Sequence, residues 1–226
     1  MLFNFARVTP ALSALSALTL CVWAAPVQIK KEPVVMSELV KRAPTAAIIT
    51  NCTQPGQVAL TYDDGPSNYT QKLIDYLNSK KAYATFYVNG DNNGRIEDHA
   101  SAVLMDTKIK AIIGWRPLFM RPPYGNANAH VVQYLTQLGY YITNWNIDSN
   151  DWRHPDNVNS SLAEFKKVLD LPTAKSHGYI ALHHDTYQST VEKLTPLVVE
   201  YLQSAGYALV TVGHCLGLNQ TQWYRA

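Results

Sequence analysis

The chain has 226 residues, 47% hydrophobic and 16% charged, with 14 Tyr and 5 Trp. That apolar share can fill the core of one domain and excludes a disordered chain, a collagen and a low-complexity array. Formal net charge is +2 and no run of five or more basic residues occurs, so no nucleic-acid partner is expected.

In chain order, residues 1–24 read as a secretory signal. Arg7 supplies the positive start, and Ala11 to Trp23 is an apolar run too short to span a bilayer, which takes about 20 residues. Cutting is expected after Ala24. Residues 25–42 are polar, lack apolar periodicity, and end on Lys41-Arg42, a candidate processing site that would make them a propeptide or linker. The domain proper is then 43–226. Five of the 19 basic and two of the 17 acidic residues lie in 1–42, which leaves 14 against 15 and a net charge of −1. Cys21 leaves with the signal. In an oxidising compartment one disulfide between Cys52 and Cys215 is the simplest reading, against two free buried thiols. In the chain-entropy model it would be worth about 4–5 kcal/mol. Asn51, Asn68, Asn159 and Asn219 open N-x-S/T sequons and are glycan candidates. There is no apolar C-terminal tail, so no lipid-anchor signal is read and no membrane anchor is expected.

Gln57 to Tyr62 is a short apolar run, predicted as a strand. Asn68 to Lys81 puts Leu73, Ile74 and Leu77 on one helical face, with Ser67 as the expected cap. Ala84 to Asn89 and Leu118 to Met120 read as strands. Asn128 to Leu138 reads as a helix stopped by Gly139, and Tyr140 to Asn144 as a strand. Val158 to Leu169 is a helix, Tyr179 to His183 a strand, Thr190 to Ser204 a helix stopped by Gly206, and Tyr207 to Val212 a last strand. Such alternation predicts a parallel α/β sheet, open or closed into a barrel. Asp63-Asp64, Arg121, Asp148 with Asp151, and His183-His184-Asp185 each follow a predicted strand. Polar residues gathered at the carboxyl ends of strands mark a site rather than scattered surface charge.

Four of these runs resemble one family. Thr61-Tyr62-Asp63-Asp64-Gly65-Pro66, Arg121-Pro122-Pro123-Tyr124-Gly125, Asp148-Ser149-Asn150-Asp151-Trp152 and Leu182-His183-His184-Asp185 resemble, in order, the first, third, fourth and fifth motifs of the NodB-like polysaccharide deacetylases. The surroundings of Cys52 and Cys215 and the Lys41-Arg42 step resemble fungal secreted chitin deacetylases. The resemblance covers about residues 45–220. It implies a distorted (β/α) barrel, secretion to the cell wall or medium, a monomer, and hydrolysis of N-acetyl groups from chitin or chito-oligosaccharides with release of acetate.

It also implies roles. Asp63 would be the general base acting on water, and Asp64 a ligand of a divalent metal, Zn or Co. Arg121 would hold Asp63, with Asp148 positioning that charge network. The backbone amide of Tyr124 would serve the oxyanion, and His184 would be the general acid for the departing amine. Leu182 and Trp152 would line the acetyl pocket. His183 would be a neighbour of the site rather than a catalyst.

The family's second motif, His-Ser/Thr-x-x-His, supplies two more metal ligands and has no counterpart here. The interval 90–120 holds one histidine, His99, with no partner three to five residues away. Residues 95–104 resemble the helix before that motif and residues 109–117 the helix end after it. The join near 104–108 implies that about one βα unit, roughly 30 residues, is missing. A catalytic metal site takes three protein ligands and an open position, and Asp64 alone does not make one. His99 is a weak substitute, and His130, His154, His177 and His214 read as surface or core residues. The expectation is therefore a deacetylase by ancestry, with a catalytically impaired or inactive homologue or splice form, one that still binds chitin-like glycans or does nothing as folded, as the alternative. A glycoside hydrolase is disfavoured, because no acid–base carboxylate pair about 5–9 Å apart can be argued from the spacing.

Overall fold

The computed structural model describes residues 47–89, 109–111 and 113–226. The expected signal, the 25–42 segment, the helix over 95–104, His99 and the join at 104–108 lie outside the described residues.

Among the described residues, two parallel sheets are built from eight strands and the helices between them. The larger centres on β2 (Gln57–Asp63), flanked by β3 (Ala84–Tyr87) and β8 (Tyr179–His184), with β7 (Ile147–Asp148) beyond β8 and β9 (Ala208–Leu209) pairing with the start of β2. The smaller has the order β1–β6–β5, from Ile48–Ile49, Tyr141–Thr143 and Phe119–Met120. Every pairing in both is parallel. A separate antiparallel pair joins β4 (Arg116–Pro117) to β10 (Tyr224–Arg225). The fold is α/β, as the alternation predicts.

β2 is buried from Val58 to Asp63, which is why it reads as a continuous run rather than an alternating one. Val58, Leu60 and Tyr62 face α1 (Thr70–Ser79), α3 (Val158–Leu169) and α4 (Thr195–Ser204), packing with Leu73, Leu77, Phe165, Val198 and Leu202. Ala59 faces the other way, into a second cluster with Phe119, Ile180, Val212 and the bonded pair Cys52–Cys215. α3 buries Ser161, Phe165 and Leu169 at four-residue spacing, is capped by Asn157, and carries Lys166 and Lys167 in its last turn, where the helix dipole favours cations. α2 (Ala129–Gln137) is capped by Asn128, whose side chain accepts from Val131 N.

Three local expectations are corrected. Ser67 does not cap α1: Tyr69 is the N-cap, with no side-chain bond, and the Ser67 hydroxyl donates to the Asp185 carbonyl at 2.6 Å. Thr190 to Ser204 is not one regular helix but a π turn (Thr190–Leu194) leading into α4, where Pro196 has no N–H to continue the ladder. The last strand is two residues long, and Val212 opens the short helix α5 (Val212–Cys215), capped by the Thr211 side chain. Strands β1, β4, β7 and β10 have two residues each and so carry no readable periodicity.

Candidate active site

The site is set by the register of two neighbouring strands. Asp63 and His184 are direct partners at the carboxyl ends of β2 and β8. Alternation then separates the two histidines of β8. His183 turns toward the helices, stacked on Tyr62 and Phe165 at 5.1 and 5.3 Å, and is fully buried. Burial pushes it down to about 4, so it is neutral, with Nδ1 3.3 Å from the Thr61 carbonyl. His184 takes the opposite face.

Arg121, directly after β5, crosses from the smaller sheet. Its Nη1 donates to Asp63 Oδ1 at 2.6 Å and to Thr61 Oγ1 at 2.8 Å. Nη2 donates to the Asn144 carbonyl at 3.2 Å and Nε to the Thr143 carbonyl at 3.4 Å. The guanidinium lies over the Tyr87 ring at 4.2 Å and the Trp145 ring at 5.2 Å. Arg121 is 1% exposed, so these acceptors replace the water it has lost. Burial pushes Asp63 up to about 6, against the pull of the Arg121 charge. Gly125 closes the turn after Arg121 at φ +67°, where a side chain would strike the Trp145 ring.

The acid side has its own clamp. Asp151 Oδ1 is 2.8 Å from His184 Nδ1 and accepts from Trp152 N at 2.9 Å. Its Oδ2 accepts from His184 N at 2.7 Å and from Thr190 Oγ1 at 2.8 Å. Burial works against both charges, but their pairing wins. Asp151 is held below the ordinary carboxylate range and His184 above the ordinary imidazole range. With Nδ1 engaged, Nε2 is the nitrogen that can face a substrate.

The remaining expected residues fall as follows. Asp64 sits half-buried at φ +69°, its N donating to the Tyr87 carbonyl at 3.2 Å. Asp148 departs from its expected place. Asn150 at φ +52° folds the loop back, and Asp148 Oδ1 accepts from Asn150 N at 2.8 Å instead of joining the Arg121–Asp63 pair. Asp151 is the acid of that run that meets a site residue, a role sequence reasoning missed although it singled the residue out. Thr61 and Thr190 were missed too. Thr61 could have been found from its two-residue spacing to Asp63, which puts both on one face of β2. Tyr124 is 96% exposed at φ +56°, in the turn Pro123–Gly125. Trp152 is part-exposed under the Arg153 guanidinium at 4.6 Å, and Leu182 is buried on β8. Asn51, Asn68, Asn159 and Asn219 are all exposed, and Asn219 also caps the turn Gln220–Gln222.

The described residues do not fit a metal centre. Among them no three His, Cys, Asp or Glu side chains form a group that could hold an ion, and His130, His154, His177 and His214 are exposed. Among the described residues no helix is long and apolar enough to cross a membrane.

Residues 50–106 match the family model described as polysaccharide deacetylase. A chitin deacetylase of Pestalotiopsis sp. is 34% identical over 217 aligned positions, covering 81% of this chain and 71% of the relative. One of Colletotrichum lindemuthianum is 33% identical over 223 positions, covering 82% and 90%. The solved structure of the chitin deacetylase from that fungal pathogen superposes with a TM-score of 0.74 at 32% identity, over 80% of this chain and 96% of that one. The chain belongs to the polysaccharide deacetylase family, hydrolases of carbon–nitrogen bonds outside peptides.

Proposed function

We propose that the site removes acetyl groups from N-acetylglucosamine units of chitin or chito-oligosaccharides. The observation that carries this reading is the pairing of Asp63 and His184 on adjacent strands, each with its own separate clamp. With Asp63 near 6 the carboxylate is ionised at neutrality, and the Asp151 partner raises His184 toward its protonated form, the states a base and an acid need. Asp63 takes a proton from the attacking water as its oxygen bonds to the acetyl carbon. The Tyr124 amide donates to the oxyanion so formed. His184 gives its proton to the nitrogen as the C–N bond breaks, releasing acetate and a free amine. Arg121 keeps Asp63 ionised and aimed, and Leu182 and Trp152 bound the acetyl pocket. The same reading takes the protein as secreted through residues 1–24, monomeric, and glycosylated at exposed sequons.

A specific observation favours an impaired form. The 217 aligned positions take in 81% of 226 residues, so about 34 positions of the relative face no residue here, the size of one βα unit. The family match also stops at residue 106, within the expected join. A lost unit bearing His-Ser/Thr-x-x-His accounts for both and for the lack of a metal-binding group among the described residues. Metal polarisation is worth several kcal/mol of barrier, and each 1.36 kcal/mol is tenfold in rate. The expected result is little acetate from chitohexaose with added Zn²⁺ or Co²⁺, no stoichiometric bound metal, and recovery of both on inserting a family-type segment near Met105. Robust turnover with bound metal in the unmodified chain would sink the impaired reading. Shortened sugars without acetate would sink the deacetylase reading itself.

A further inference from the structure

We propose that Asp185 is a positioning residue that locks the turn bearing Asp64, directly after Asp63, to the strand end bearing His184. Its role in turnover rests on the deacetylase reading; its role as a lock does not. Asp185 follows His184 directly and is fully buried. Its carboxylate meets the segment that leaves β2, at Gly65 and Thr70. Thr70 Oγ1 donates to Asp185 Oδ2 while accepting from Ser67 N at 2.7 Å. Ser67 Oγ donates to the Asp185 carbonyl at 2.6 Å while accepting from Tyr69 N at 3.1 Å. Two short hydrogen-bond chains therefore run from the turn onto one residue. Gly65 packs so closely on the carboxylate that a methyl group there would overlap both of its oxygens. On its far side the turn is tied to the end of β3, through Asp64 N to the Tyr87 carbonyl at 3.2 Å and Asn89 N to the Gly65 carbonyl at 2.7 Å.

The arrangement has a cost that simple packing would not accept. Asp185 Oδ1 is buried with no hydrogen-bond partner, and burial raises its carboxyl above the ordinary range. A threonine or asparagine there could hold Thr70 with less desolvation. A residue kept under that penalty fixes the turn against His184 from both of its ends, Oδ2 accepting from the Thr70 hydroxyl and the carbonyl from the Ser67 hydroxyl. Strand register aligns Asp63 with His184 through the backbone, but the ladder ends at that pair. Beyond it, Asp185 supplies the continuation through side chains.

The test compares the full chain with Asp185→Ala, Thr70→Val, Thr70→Ser and the double variant Asp185→Ala/Thr70→Val. Amide hydrogen exchange over residues 64–70 and the NMR signals of the His184 ring are the readouts. Asp185→Ala and Thr70→Val should each speed exchange across 64–70 about tenfold or more, leave amides in the middle of β8 within about twofold, and move the His184 ring signals. Thr70→Ser, which keeps the hydroxyl, should match the parent, and the double variant should add little to either single one. A uniform loss of protection across both sheets would show a merely structural residue and overturn the proposal. So would unchanged exchange at 64–70, or additive effects in the double variant. If Asp185→Ala fails to fold, Thr70→Val against Thr70→Ser decides alone. Acetate release on the same proteins separates the two readings: a parent chain that only shortens sugars defeats the deacetylase reading while the exchange result stands by itself.

Discussion

The two parallel sheets contribute to the site by different physical means. The larger presents Asp63 and His184 from β2 and β8, strands of seven and six residues buried almost throughout. Their placement is a matter of register, because six consecutive Cα pairs from Val58–Tyr179 to Asp63–His184 fix it. The smaller presents Arg121 from the end of a two-residue strand with two pairs to β6. There the backbone determines little, and the guanidinium is held by its acceptors: Asp63, Thr61 and the carbonyls of Thr143 and Asn144. A residue on a long buried strand is located by its ladder, whereas one on a short strand is located by what its side chain binds. The first kind tolerates loss of a side-chain partner in place; the second does not.

That contrast can be broken most severely at Arg121, the link between the sheets. Arg121→Ala leaves the buried Asp63 carboxylate unpaired and should cost about 3–5 kcal/mol in urea unfolding. It should also raise Asp63 further, since the Arg121 charge is the largest influence holding it down. A loss below about 1 kcal/mol would mean the two sheets are joined by packing alone.

The next effect belongs to the larger sheet's outer face. His183 binds its proton near pH 4 when folded and near 6.5 when unfolded. Between those values the unfolded chain holds more protons, so stability falls as pH drops from about 6.5 to about 4. Asp63 acts in the opposite sense, since its folded value is raised and stability rises as pH drops through about 6 toward 3.8. His183→Phe should therefore gain about 3 kcal/mol relative to the parent between pH 7 and pH 4, read by denaturant melts at both pH values. A constant difference between the two proteins would show that His183 does not carry the acid limb.

Asp151→Asn sharpens the comparison on the catalytic face. The backbone keeps His184 in place but its charge partner is lost, so its proton affinity should drop. Acetate release should fall by about tenfold to a hundredfold, part of the 10²–10⁴ that a general acid is worth, and the alkaline limb should move to lower pH. Where turnover is too low to follow, the His184 ring titration in NMR reports the same shift. An unchanged titration would free His184 from dependence on Asp151. The smallest effect is at the surface. Lys72 and Glu192 pair at 2.8 Å with Lys72 mostly exposed, and Lys72→Ala should cost less than about 0.5 kcal/mol in the same melts.

By itself the sequence determined the alternation of strand and helix, the long strands β2 and β8, and the helices α1, α2 and α3 to within two residues at either end, because each carries a long apolar pattern or a side-chain cap. It also placed Asp63, Arg121 and His184 at strand ends, since residues after a buried strand share one end of a parallel sheet. The tertiary structure decided what local pattern does not encode. Two-residue strands such as β1 and β7 exist through their neighbours' ladders, with too few residues for any periodicity of their own. Asp148 and Asp151 look equivalent in the chain, and the positive φ of Asn150 decides between them by turning the first into its own loop and the second onto His184. Ser67 reads as a cap by position, but its hydroxyl goes to Asp185, 118 residues away. A hydrogen bond across that separation forms only once β2 and β8 lie side by side, and no local pattern around Ser67 could announce it.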